Sequence, residues 1–152
     1  MSAFDVSAQL DAPCAPATLF PFVDDLAQYP AWMPIVHAVT PLDDGGDRPA
    51  WSVELRARVG PLARSKRLRM VRTVHDAPTA VVFERAEVDG RHHSAWILRA
   101  DVRAEHEGSR LDVGLHYGGR LWTGGVLERV LRDSIEDGRE RLVALVGGQD
   151  TA

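Results

Sequence analysis

Residues 126–146 read VLERVLRDSIEDGRERLVALV, and their apolar positions recur with the period of a long amphipathic helix. Thr123 is the predicted N-cap of this helix. On a wheel of about 100° per residue, one stripe contains two small residues among its leucines: Leu127, Leu131, Ser134, Gly138, Leu142 and Leu145. Glycine inside a helix costs about 1 kcal/mol relative to alanine. Two explanations are open for Gly138, namely a close approach of the sheet to the helix backbone or space left for a ligand.

Upstream of this helix, polar and apolar residues alternate in the manner of half-buried strands. The first strand contains Phe4, Val6, Ala8 and Leu10, and others are predicted at about 35–42, 51–59, 65–75, 80–88, 94–105 and 111–117. Pro16 and Pro21 predict two short helices after the first strand. Asp89-Gly90 predicts a hairpin turn. The fold class is therefore α+β, with six or seven antiparallel strands and one long C-terminal helix.

Composition limits the cellular compartment and the classes of partner expected for this protein. The chain has 152 residues, which is the usual size of one domain, and a single cysteine, so an intrachain disulfide is excluded. The first residues have neither the basic start nor the apolar run of a signal peptide or membrane anchor. We therefore expect a cytoplasmic protein with no stable membrane insertion. The formal charge of -4 argues against nucleic acid as a partner.

The sequence motifs predict neither a metal nor a cofactor. The six histidines have no metal-ligand spacing, and no phosphate loop, dinucleotide fingerprint or nucleophile elbow occurs. Lys66 is the only lysine, and the arginine excess is what a bacterial genome of high GC content would encode. The densest basic stretch is Arg64–Arg69, which could serve as a docking surface.

A family resemblance is carried by three segments: Asp11–Phe20, Tyr29-Pro30-Ala31-Trp32-Met33-Pro34 and Leu115–Gly119. They resemble the START-like superfamily, also called SRPBCC or helix-grip, in its polyketide cyclase/dehydrase and lipid-transport branch. The segment from Asp11 to Phe20 is similar to the opening strand and proline-led helix of that family. Tyr29-Pro30-Ala31-Trp32-Met33-Pro34 resembles its Tyr-Pro-x-Trp corner, and Leu115–Gly119 resembles its last strand. The resemblance covers nearly the whole chain. It implies a single domain over 1–152, in which a curved sheet grips the C-terminal helix around a cavity for an apolar ligand.

Strand alternation selects the side chains that should line such a cavity. The predicted ligand-binding residues on the strands are Trp51, Leu55, Met70, Arg72, Phe83, Trp96 and Tyr117, and those on the helix are Ser134, Gly138 and Leu142. Arg72 is open to two interpretations, because its guanidinium could orient a ligand or could be paired or turned outward within the protein. Tyr117 could likewise face the ligand or donate to a backbone carbonyl.

The predicted function is binding of a small hydrophobic molecule of the lipid, polyketide or isoprenoid type. An aromatase/cyclase is the alternative, in which Arg72 or Tyr117 would bind a carbonyl or enolate. A third possibility is an interaction protein similar to the quinone-binding or ribosome-associated members, docking through Arg64–Arg69. The residues specify neither the ligand nor any turnover, and they leave monomer and homodimer open.

Overall fold

A computed structural model describes residues 4–43, 46–59, 61–118 and 126–149. These residues form a seven-stranded antiparallel sheet in the order β1-β7-β6-β5-β4-β3-β2. The strands are β1 Phe4–Ala12, β2 Val36–Leu42, β3 Ala50–Val59, β4 Leu62–Asp76, β5 Ala80–Arg85, β6 Trp96–Glu105 and β7 Gly108–Tyr117. The long helix, α2, is Val126–Gln149. This arrangement confirms the predicted α+β fold, although Thr123 lies outside the described residues.

The two short helices predicted after β1 are present. Helix α1, Pro16–Leu19, has its proline in the first turn and leads directly into a 3-10 helix at Phe20–Phe22. A second 3-10 helix, Leu26–Ala31, follows and contains Pro30. Proline restricts the residue before it to extended conformations, so the sequence does not favour a helix interior at Pro30. The tight 3-10 turn is nevertheless compatible with the fixed φ of proline.

Side-chain alternation gives the sheet one apolar and one polar face, as expected for an antiparallel sheet covered on one side. In β6, Trp96, Leu98, Ala100 and Val102 are buried, whereas Arg99 and others on the opposite face are exposed. The apolar face is concave and carries the core. It contacts α1, the second 3-10 helix and α2.

Strand β5 is shorter than predicted. It ends at Arg85, and residues 86–95 form a long connection to β6 in place of the tight hairpin expected at Asp89-Gly90. Gly90 does adopt a left-handed φ of 75°, so a turn exists there within the longer loop. The chain leaves the ladder where Glu87 Oε2 accepts hydrogen bonds from Arg85 Nε and the Arg69 backbone N–H.

Candidate functional site

The two small residues in the middle of α2 do not leave a gap. A Cβ atom at Gly138 would lie 2.6 Å from the carbonyl oxygen of Trp32 and 3.2 Å from its ring. Ser134 is buried, and its hydroxyl accepts a 2.8 Å hydrogen bond from the Ile35 N–H. Close approach is therefore the explanation for Gly138. The partner is the Trp32 corner rather than the sheet, and the space expected beside Ser134 and Gly138 is filled.

Arg72 lies on the concave face but is engaged within the protein. It is paired across the ladder with Phe83, which places both side chains on the same face. Its Nη1 donates to the Asp24 carbonyl at 2.9 Å, and its guanidinium carbon lies 6.0 Å from the ring centroid of Trp51. A register shift follows between Arg72 and Val74. Of the two interpretations, pairing within the protein describes this guanidinium.

Two predicted site residues, Trp51 and Phe83, belong to a packed aromatic cluster at the corner. The rings of Trp51 and Phe83 meet edge to face at 5.5 Å, and Tyr29 contacts Phe83 at 6.1 Å and Trp32 at 4.8 Å. Each of these side chains is at most 6% exposed, and burial is as complete for two further residues predicted for the site, Met70 and Leu142. These side chains are part of the core.

The remaining predicted residues lie on the concave face from the level of the Met70–Arg85 pair toward the β3–β4 hairpin, which extends beyond its neighbours. We call this region the hairpin end and define it by five residues: Leu55, Lys66, Arg85, Trp96 and Tyr117. Trp96 of β6 pairs directly with Tyr117 of β7. On the neighbouring strand β5, Glu84 pairs with Ile97, so the next residue, Arg85, lies beside Trp96. Leu55 pairs with Lys66 on β3 and β4, and both are half-buried.

Trp96 has an unusual hydrogen-bonding state. Its side chain is 4% exposed and its ring lies 4.7 Å from that of Tyr117, yet its Nε1 has no hydrogen-bond acceptor among the described residues. Trp32 is the useful contrast, because its Nε1 donates to the Phe22 carbonyl at 3.0 Å. Buried indole N–H groups normally find a partner, and leaving one unmet costs about 1–3 kcal/mol.

Arg85 is the most buried cation for which an ion pair is described, with 7% of its side chain exposed. Its Nε donates to Glu87 at 2.7 Å and its Nη1 to the Ser94 carbonyl at 3.3 Å. Its Nη2 lies 3.2 Å from Nδ1 of His93, whose Nε2 is 2.8 Å from Asp89. These contacts tie the connection 86–95 to the end of β5.

The same contacts fix the tautomer of His93. Since the guanidinium can only donate, Nδ1 accepts and the proton is on Nε2, where it is donated to Asp89. Two hydrogen bonds, first from the Arg91 backbone N–H and second from His93, lower the pKa of Asp89 below the ordinary value of 3.8. Both ring nitrogens of His93 are thus occupied.

Lys66 is the hairpin-end cation for which no hydrogen bond or ion pair occurs within the described ranges. Burial lowers its pKa from 10.5, the Arg85 charge lowers it further, and Glu87 opposes both effects. The influence of Arg85 and Glu87 agrees with a side chain on the concave face, where the alternation with Leu68 and Met70 also places Lys66.

Sequence reasoning missed Arg85 and Lys66, although the signal for each was present. Arg85 follows Phe83 by two residues, and Lys66 precedes Leu68 by two, so both belong to faces already assigned as apolar. A charged residue on such a face was singled out only at Arg72.

The basic stretch Arg64–Arg69 is divided between the two faces of β4. Lys66 is concave, whereas Arg67 is on the other face, where its Nη2 lies 3.7 Å from Glu54. Arg69 donates to the Ala86 carbonyl at 2.7 Å. The stretch does not present one continuous basic surface.

Within the described ranges, no three His, Cys, Asp or Glu side chains come together in a way that could hold a metal ion. In the same part of the chain, no helix combines the length and apolar character needed to cross a bilayer.

Comparison with protein families gives a match over residues 3–147 to the family described as polyketide cyclase/dehydrase and lipid transport. The chain belongs to this family. The match confirms the resemblance that the opening helix and the Tyr-Pro-x-Trp segment indicated. A search of curated protein sequences gave no match.

Solved structures of the same fold are distant in sequence. A protein from Thermus thermophilus is 16% identical with a TM-score of 0.75, covering 96% of this chain and 99% of its own. A START superfamily protein from Mycobacterium smegmatis is 16% identical with a TM-score of 0.73, covering 95% and 98%. The di-domain aromatase/cyclase of the steffimycin biosynthetic pathway is 13% identical with a TM-score of 0.72, covering 99% of this chain. This chain spans about half of it, 52%. At these identities the likeness describes the fold.

Proposed function

We propose that this protein binds a small hydrophobic molecule, whose apolar body lies on the hairpin end and whose oxygen accepts a hydrogen bond from Trp96 Nε1. The observation that carries the proposal is the buried indole N–H without an acceptor among the described residues. Apolar sites with a few polar groups that orient the guest are the usual form of small-molecule sites. Membership in a family named for polyketide cyclisation and lipid transport supports the same class of ligand.

Binding without turnover is favoured over a cyclase-type reaction. A cyclase must move a proton at the reacting carbon, yet both nitrogens of His93 are engaged. The Glu87 carboxylate is held by Arg85 and by the Arg69 N–H, and the Arg72 guanidinium is bound to Asp24. Incubating any co-purified ligand with the protein and following its mass tests this choice, because a time-dependent mass change would establish an enzyme.

The binding proposal is tested with N-phenyl-1-naphthylamine (NPN), a neutral probe that fluoresces strongly in apolar surroundings. We expect saturable binding by the wild type and a loss of about tenfold in affinity for Leu55→Gln, since a polar amide would replace half-buried apolar surface. Val74→Gln is the matched control, because Val74 is 43% exposed beyond the register shift in β4. Absence of saturable binding, or equal loss in both variants, would contradict the proposal.

A further inference from the structure

Charge at the hairpin end is unevenly compensated. Arg85 and Glu87 form an ion pair at 2.7 Å and neutralise each other. Arg64, two residues before Lys66 and on the same face, takes part in an interaction of its own. Lys66, which the Glu87 charge also attracts, has no hydrogen bond or ion pair in the described ranges.

Position distinguishes Lys66 from an ordinary surface lysine. Lys66 is half-buried and pairs with Leu55. The next two residues of β4 on the same face, Leu68 and Met70, are only 3% and 5% exposed. Arg67, the neighbour of Lys66, points to the other face with 74% of its side chain exposed. An ammonium bordering an apolar site attracts the charged end of an amphiphile, since that contact forms where water is partly excluded.

We infer that the ligand is an amphiphilic monocarboxylate whose carboxylate binds Lys66 Nζ; this inference rests on the proposed function. One positive charge without an ion-pair partner among the described residues matches one negative charge, so a doubly charged phosphate fits less well. The apolar part of the ligand then extends from Leu55 toward Trp96, and a second oxygen along it meets the indole N–H. Lys66 selects the charge of the ligand, and Trp96 orients its body.

Displacement of bound NPN measures this selectivity at pH 8, with laurate, 1-dodecanol and dodecyl phosphate as competitors of equal chain length. We expect laurate to compete about tenfold more strongly than dodecanol, because a charge-assisted hydrogen bond adds affinity of that order. Laurate should also compete at least as strongly as dodecyl phosphate. Lys66→Gln should lower the laurate-to-dodecanol ratio to about one while leaving dodecanol unchanged. Arg67→Gln removes the same formal charge from the opposite face and should retain the ratio.

The single lysine provides a second readout that does not depend on affinity. The 13Cε signal of Lys66 titrates alone, and bound laurate should raise the Lys66 pKa whereas dodecanol should not. Failure of the wild type to bind NPN would refute the proposed function together with this inference. If NPN binds, three results would refute the inference alone: equal competition by laurate and dodecanol, a retained ratio in Lys66→Gln, or a ratio lost equally in Arg67→Gln.

Discussion

Gly138 of α2 lies so close to Trp32 that an added Cβ atom would be 2.6 Å from the Trp32 carbonyl oxygen. The helix and the corner therefore meet backbone to backbone, and the absence of a side chain permits it. One turn earlier in α2, the Ser134 hydroxyl accepts from the Ile35 N–H at 2.8 Å. Together these contacts fix α2 against the corner.

Gly138→Ala should destabilise the protein by about 1–3 kcal/mol, because the cost of overpacking exceeds the gain of about 1 kcal/mol in helix propensity. Gly147→Ala is the control in the same helix, where an added Cβ meets nothing within 4 Å. It should be neutral or stabilising. Urea unfolding of both variants measures the difference, and equal stability would show that the contact can relax without cost.

Trp32→Phe and Trp96→Phe remove the same atoms from two buried indoles that differ in hydrogen bonding. The first deprives the Phe22 carbonyl of its donor, whereas the second removes an N–H that has no acceptor among the described residues. We expect Trp32→Phe to cost about 1–3 kcal/mol more in the free energy of unfolding. An equal cost in thermal or urea unfolding would mean that Trp96 Nε1 has a partner in the folded protein.

Glu87→Gln should destabilise the protein by about 3–5 kcal/mol, because it leaves Arg85 without its counter-charge where only 7% of that side chain is exposed. Glu105→Gln is the matched control, because Arg103 and Glu105 are also two residues apart but are 57% and 42% exposed. Its effect should stay within about 0.5 kcal/mol. Similar losses for the two variants would refute a special role for the buried pair.

Alkaline stability should depend on Tyr29. Burial, and secondarily the Asp24 charge, raises the pKa of this phenol above its ordinary 10.0, and its hydroxyl donates to the Val23 carbonyl at 2.8 Å. The unfolded chain loses the proton near pH 10 and the folded chain retains it, so this contribution is complete below pH 10 and declines above it. Tyr29→Phe should unfold with a shallower loss of stability above about pH 10. An unchanged slope would contradict this assignment.

Alternation along the strands was sufficient to predict the sheet, its concave face and the burial of Trp51, Phe83 and Trp96. It could not predict which part of that face α2 and the corner would cover, because that depends on contacts between residues far apart in the chain, such as Ile35 and Ser134. For this reason the alternation could not decide between the two explanations open for Gly138, of which the structure shows close approach.

The polar groups of the site were harder to predict than its apolar ones. The sequence identified Arg72 as a candidate because it is a cation on an apolar face. The Asp24 carbonyl that accepts its hydrogen bond, however, comes from a distant segment. Arg85 and Lys66 occupy equally apolar faces, and what separates them is whether a partner is present. Hydrogen-bond and ion-pair partners are brought together only in the folded chain, so the sequence alone does not show which of these cations is available to a ligand.

Indole NMR tests the central claim, that the ligand lies against Trp96, most directly. With the 15N-labelled Nε1–H signals assigned through single Trp→Phe variants, the Trp96 signal should shift progressively and saturably as NPN is added, following the fluorescence titration. The Trp32 signal, whose N–H is held by Phe22, should remain in place. Saturation of NPN fluorescence with an unmoved Trp96 signal would place the ligand elsewhere and contradict the account.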